Sequence, residues 1–298
     1  MGMKEQAKAI TDRMIARIED ALDSGEKLTW AKGCEHGLPM NFTSGKLYRG
    51  WNVFQCWMSG YERQLWAGLK QILKAGGRVR REEFGKPTWI LLWTKRKCKA
   101  KPDAEPDARA SFYWMSKALK VYNIDQCEGL PEDVVAEPQG ADAVEDLDVF
   151  FAAYAAGDDL RMVHNADTPF PGYAPDMDTV LMPSRDRFHG TERFYSSLAH
   201  ECGHATGHAK RLDREHAFAD GRANYSKEEL VAEFTAAILG ATLGFDGAPE
   251  VENHAAYLRG WLKPLKDDPT FLGTAASAAQ KAVDRIMVKA GVREPDLV

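Results

Sequence analysis

At 298 residues, with 44% hydrophobic and 28% charged side chains, the chain is long enough to bury substantial cores, and its length suggests two domains. No stretch approaches the roughly 18 consecutive apolar residues of a membrane span and no charged-then-apolar leader opens the chain, so a cytoplasmic protein with no membrane partner is expected. Cys34, Cys56, Cys98, Cys127 and Cys202 form no C-x-x-C pair and exclude a disulfide frame, while the net charge of -5 hides an asymmetry: residues 1–127 hold 23 Lys+Arg against 14 Asp+Glu, and residues 128–298 hold 16 against 30.

Residues 4–24 place Ile10, Met14, Ile18 and Leu22 along one side of a packing helix that Ser24-Gly25 stops. The stretch 30–46 is loop-like, and 51–59 predict a short helix. Residues 62–74, carrying Leu65, Trp66, Leu69, Ile72 and Leu73 before Gly76-Gly77, predict another helix. Residues 88–94 read as a buried strand with 112–122 as its partner. The basic run Lys95-Arg96-Lys97-Cys98-Lys99-Ala100-Lys101 is assigned to a long loop between them.

In this half Lys46, Arg49, Lys70, Lys74, Arg78, Arg80, Arg81, Lys95, Arg96, Lys97 and Lys99 interleave with Tyr48, Trp51, Trp57, Tyr61 and Trp66. Single-stranded nucleic acid is bound by that combination, because cations track phosphates while aromatic faces stack on unpaired bases, each worth roughly 1 to 3 kcal/mol. Tyr48, Arg49, Trp51, Trp66, Lys70, Arg78 and Arg80 are the candidate DNA contacts. The competing assignment makes the tryptophans core and the charges a solvated face. No helix-turn-helix, finger or RNP-type motif supports sequence-specific duplex reading.

Residues 128–143 are polar, Pro/Gly-bearing and aperiodic, as an interdomain linker would be, which divides the chain into domains at 1–127 and 144–298. The second opens with a helix at 144–156. Short strands at 161–164 and 179–182 flank a turn-rich Pro169-Phe170-Pro171-Gly172-Tyr173-Ala174-Pro175 loop. The strand at 179–182 is the candidate edge on which an extended peptide pairs its backbone. Stretches 253–262 and 274–291 predict helices, and His189, His216 and His254 have no partner at ligand spacing.

The most specific signal is His200-Glu201-Cys202-Gly203-His204. On a helix, positions i and i+4 share a face, so His200 and His204 can both reach one divalent ion, and Glu201 beside them can act as general base on a water. Phe194, Leu198, Ala199 and Cys202 give that helix an apolar stripe. A catalytic zinc needs a third protein ligand. Downstream, Glu229 and Glu233 occupy one face of a helix that buries Leu230, Phe234, Ala237 and Ile238. Glu229 is the expected third ligand, with Glu233 accepting a hydrogen bond from a ligand histidine; the swapped roles are the alternative, and His208 is a further contender. Ser226 as N-cap with Glu229 three residues on also fits a capping box, a purely structural use of that glutamate.

These motifs resemble the ArdC-type antirestriction proteins of conjugative plasmids, whose N-terminal region is shared with certain plasmid primases. The resemblance is carried by residues 37–41 (Gly-Leu-Pro-Met-Asn), 45–52 (Gly-Lys-Leu-Tyr-Arg-Gly-Trp-Asn), 66–80, 121–126, 178–183, 200–208, Arg211-Leu212 and 228–233. Cys202 stands where relatives usually have an aliphatic residue. The resemblance implies an α+β chain of two domains, a mixed α/β single-stranded DNA-binding domain followed by a zincin-like metallopeptidase domain with Zn2+ or another divalent metal such as Mn2+. It further implies protection of incoming plasmid DNA from host restriction, with a host protein or peptide as possible substrate. The alternative is a DNA-coating protein whose metal domain is structural or regulatory, without peptidase turnover.

Overall fold

A computed structural model describes residues 3–24, 36–97, 112–132, 146–214, 222–245, 262–268 and 270–292. The end of the basic run at 98–101, most of the linker, His216, His254 and most of the helix expected at 253–262 lie outside the described residues. The chain runs α1 (Met3–Ser24), β1 (Met40–Asn41), β2 (Lys46–Leu47), α2 (Trp51–Trp57), β3 (Leu65–Gly68), α3 (Leu69–Lys74), β4 (Arg78–Val79), β5 (Thr88–Lys97), β6 (Phe112–Asn123) and β7 (Cys127–Glu128). It continues with α4 (Leu147–Gly157), β8 (Arg161–Val163), β9 (Gly172–Ala174), β10 (Thr179–Leu181), α5 (Thr191–Ala205), α6 (Arg222–Leu243) and α7 (Phe271–Lys289). Among the described residues no helix is long and apolar enough to cross a membrane.

The first half is built on a five-stranded sheet of order β2-β1-β3-β6-β5, with β4-β7 as a separate pair. Three expectations change here. Leu65 and Trp66 lie in strand β3, between β1 and β6, and helix begins only at Leu69. The run Leu-Trp-Ala is buried throughout, and a strand covered on both faces has no alternation to separate it from a helix. The basic run starts inside β5, because Lys95, Arg96 and Lys97 pair with Trp114, Tyr113 and Phe112; strong strand formers opposite carry the ladder outward. Cys127 and Glu128, placed at the linker boundary, pair with Val79 and Arg78.

In the second half β10 is the central strand of β8-β10-β9. The strand at 179–182 is therefore not the edge. The edges are β8 and β9, and β9, antiparallel to β10 with Val180 opposite Tyr173, lies inside the stretch expected to be loop. A glycine and three prolines in that stretch hid a strand of only three residues.

One core runs through both halves. Ile18 of α1 and Val53, Phe54, Trp57 and Met58 in and just after α2 join Phe194, Leu198, Phe234, Leu272 and Val283 in a single buried cluster. The Phe54 ring stacks on Phe234 of α6 at 3.7 Å and 23°. Polar ties seal the same seam: Arg49 pairs with Asp284 of α7, and the Gly50 N–H donates to Gln280 Oε1 at 2.8 Å. Gly50 sits at φ +52, a conformation that a side chain would strain.

Candidate metal centre

Helix α5 buries Phe194, Leu198, Ala199 and Cys202 against the core, which turns the His200 and His204 side toward α6. Gly203 sets how closely the two helices approach. A Cβ there would stand 3.0 Å from Ala232 Cα and 3.2 Å from Thr235 Cβ, so the missing methyl lets α6 lie directly against the histidines. Helix α6 already begins at Arg222. Ser226 is thus inside the helix and does not cap it, and Glu229 is not part of a capping box.

The Nε2 atoms of His200 and His204 converge to 3.1 Å. Glu229 faces both, its carboxylate oxygens 3.8 Å from His200 Nε2 and 3.6 Å from His204 Nε2. The ligand atoms of these three residues all lie within 4.8 Å of one another. Two imidazole nitrogens and a carboxylate at such separations suit one small ion with bonds of about 2.0 to 2.2 Å. The far nitrogen of each ring meets a different acid. Glu233 Oε1 is 3.7 Å from His200 Nδ1, and Glu228 Oε1 is 3.6 Å from His204 Nδ1. Glu228 is itself gripped by Arg214 at 2.8 Å, and Arg214 also donates to the Gly203 carbonyl. His208 lies 4.0 Å from Asp178 and outside the three-residue group.

The electrostatics follow from packing four glutamates around two imidazoles in a buried place. Burial holds His200 well below the usual histidine range, helped by the neighbouring His204. Burial also pulls His204 down, but the Glu228 contact and the charges of Glu201, Glu229 and Glu228 outweigh it and leave the group raised. Burial, reinforced by Glu229 and Glu201, pushes Glu233 up to about 8. Its Oε2 atom is buried and finds no hydrogen-bond partner among the described residues. An unmatched buried carboxylate oxygen calls for compensation, by a proton on the carboxyl or by positive charge close by.

Glu201, on the turn between the two histidines, is buried and raised, chiefly by desolvation. The Tyr173 backbone in β9 is close enough to offset part of that rise, so the edge strand adjoins the acid. The Tyr173 hydroxyl donates to Asp178 at 2.8 Å, Arg211 donates to Asp178 at 2.7 Å, and Arg211 also caps the end of α5 through the Ala205 carbonyl at 3.0 Å. Sequence reasoning missed Glu228 and Arg214. Glu228 adjoins Glu229, and no periodicity decides which of two neighbouring glutamates faces the first histidine's near nitrogen and which the other's far one.

The structure scatters the candidate DNA contacts. Trp66 has no exposed surface, so it belongs to the core and cannot stack on a base. Trp51 packs partly buried on the main cluster, and Tyr48, whose hydroxyl burial pushes up, packs on the Trp66 cluster. Arg49 is committed to Asp284 and Arg80 to the Asp125 carbonyl. Arg78 and Lys70 are exposed, with Arg78 paired to Glu128.

Residues 4–122 match the family described as the N-terminal domain of anti-restriction factor ArdC, and residues 145–278 match the zincin-like metallopeptidases. Over 96% of its length the chain is 32% identical to a DNA primase TraC of Escherichia coli, but it spans only 28% of that relative, and 20% of a second TraC that is 34% identical. The uncharacterized protein y4eC of Sinorhizobium fredii is 31% identical over 92% of this chain and 89% of its own. The metal-free crystal structure of the antirestriction protein ArdC from plasmid R388 superposes with a TM-score of 0.76 at 32% identity, covering 97% of this chain and 99% of that one. The Mn(II)-bound structure of the same protein gives 0.72 at 30%, covering 99% and 100%. With both domain signatures present and full-length similarity to a solved relative, the chain belongs to the ArdC antirestriction family and carries a zincin-like second half.

Proposed function

We propose that this chain is a cytoplasmic antirestriction protein that binds single-stranded DNA, protects incoming plasmid DNA from host restriction, and uses its second half as a metal-dependent peptidase. The observation that carries the reading is the convergence of His200 Nε2, His204 Nε2 and Glu229 beside a buried Glu201. His200, His204 and Glu229 would hold Zn2+ or Mn2+. When bound, such an ion supplies Lewis acidity toward a carbonyl oxygen and toward water. Glu233 and Glu228, 3.7 and 3.6 Å from the two Nδ1 atoms, are placed to accept from the Nδ1–H groups once an ion draws the rings into position, which would fix the tautomers that leave both Nε2 lone pairs pointing inward. Glu201 takes a proton from the attacking water and returns it to the leaving amine, and its burial brings the carboxyl closer to the pH at which it must do both. The outer edge of β9, unpaired among the described residues and close to Glu201, offers backbone pairing to an extended peptide of a host protein.

The test is conjugative transfer into a restricting host carrying wild type or Glu201→Gln, both confirmed as folded and expressed. Loss of protection by the variant is expected. Full protection by Glu201→Gln would remove peptidase chemistry from the function and leave DNA coating in its place.

A further inference from the structure

We propose that the turn bearing Phe84 and the adjoining face of the β5–β6 hairpin form a base-stacking platform for single-stranded DNA. This rests on the DNA-binding reading above and gives it a place. Trp57 and Trp66 are wholly buried, whereas Phe84 is an aromatic ring of the first half at 55% exposure. It is a fixed ring. It stacks on Tyr122 at 6.2 Å and 22°, and the Tyr122 hydroxyl donates to the Phe84 carbonyl at 2.8 Å. The Gln126 amide donates to the Lys86 carbonyl at 2.9 Å, and the turn is closed by Glu83 N–H to Arg80 at 3.0 Å and Lys86 N–H to Glu83 at 2.9 Å.

The face continues from there. Two residues before Tyr122 on the same side of β6 is Lys120, exposed, with its ammonium 5.0 Å from the ring centroid of Trp89, its cross-strand partner. Lys120 and Trp89 stand side by side across the ladder, next to the Phe84–Tyr122 stack. Arg81 and Lys86 are exposed on either side of Phe84. Of the two acids in the turn, Glu83 is engaged by Lys86 and Gln126, and Glu82 is exposed. A rigid exposed ring flanked by cations matches unpaired bases on a phosphate chain, whereas a duplex hides its base faces. An apolar protein partner would use the ring without the lysines.

Fluorescence anisotropy with a labelled thymidine oligonucleotide, the matching duplex and the full-length protein at several salt concentrations tests this. Phe84→Ala is expected to weaken single-strand binding about ten-fold with an unchanged salt slope, and Phe84→Trp to restore it. Lys120→Ala is expected to flatten the salt slope by about 0.7. Phe84→Leu, which keeps apolar cover over Tyr122 without a π face, repeats the test should Phe84→Ala melt early. Wild-type affinity in both Phe84→Ala and Phe84→Leu overturns the platform while leaving the DNA-binding reading standing. Failure of the wild type to bind any single strand overturns both, and a loss by Phe84→Ala that is equal on duplex assigns the ring to another partner and overturns the platform.

Discussion

Glu233 is a buried acid whose ionisation is at odds with its surroundings. Its folded value of about 8 compares with roughly 4.3 for an unfolded glutamate, so the native state holds a proton that the unfolded chain releases. A raised group stabilises fully below its unfolded value and loses that contribution as pH climbs through the folded one. His204 and Glu201 are raised as well and act in the same direction, whereas the depressed His200 removes stability only below its ordinary range, near 6.5. Urea denaturation of the metal-free protein should therefore show stability falling between about pH 6.5 and 8, with Glu233→Gln flattening the fall; an equal slope in the variant would assign the pH dependence elsewhere. The acids behind the rings affect affinity for the ion. Replacing Glu228 by Gln, or Arg214 by Met, should weaken Zn2+ binding by about 10 to 100-fold in a calorimetric titration, less than the loss from Glu229→Gln.

At the scale of elements, the site is the contact between α5 and α6, and Gly203 sets its width. Alanine there gains up to about 1 kcal/mol of helix propensity but must push Ala232 and Thr235 away, an overpacking that costs about 1 to 3 kcal/mol. Gly203→Ala should lower both the melting temperature and the metal affinity; a variant that is more stable and binds normally would show that the helices have slack. Helix α5 was legible because its apolar stripe, its two histidines and the glutamate between them all follow one 3.6-residue period. The face shared by Glu229 and Glu233 was legible for the same reason. What was not legible was set by partners distant in sequence. Leu65 to Ala67 are strand because β1 and β6 flank them, Trp66 is core because Ile90 and Val121 enclose it, and β9 exists because Thr179 to Leu181 lie alongside it. Ser226 looked like a cap, yet residues before it continue the helix.

On the scale of the whole molecule, the charge asymmetry invites a picture of two separate modules, but the apolar residues join them. Phe54 lies on the Phe234 ring, next along α6 from Glu233, so the first half directly backs the helix that presents the candidate ligands. Phe54→Ala should cost about 3 to 5 kcal/mol and weaken metal binding as well, although it is far along the chain from any histidine. A fragment ending at residue 127 would expose Val53, Phe54, Trp57 and Met58. It should aggregate alone and be rescued by co-expression with the second half, and the full chain should unfold in one transition by both fluorescence and circular dichroism. Two well-separated transitions would contradict the shared core.

The central claim is that two histidines of α5 and one glutamate of α6 hold a single divalent ion, and diffraction from crystals soaked in Mn2+ or Zn2+ tests it most directly. The account predicts one anomalous peak bonded to His200 Nε2, His204 Nε2 and Glu229, with Glu233 behind His200 and unbonded. A peak ligated by Glu233 or His208 in place of Glu229, or no peak between α5 and α6 at saturating metal, would contradict it.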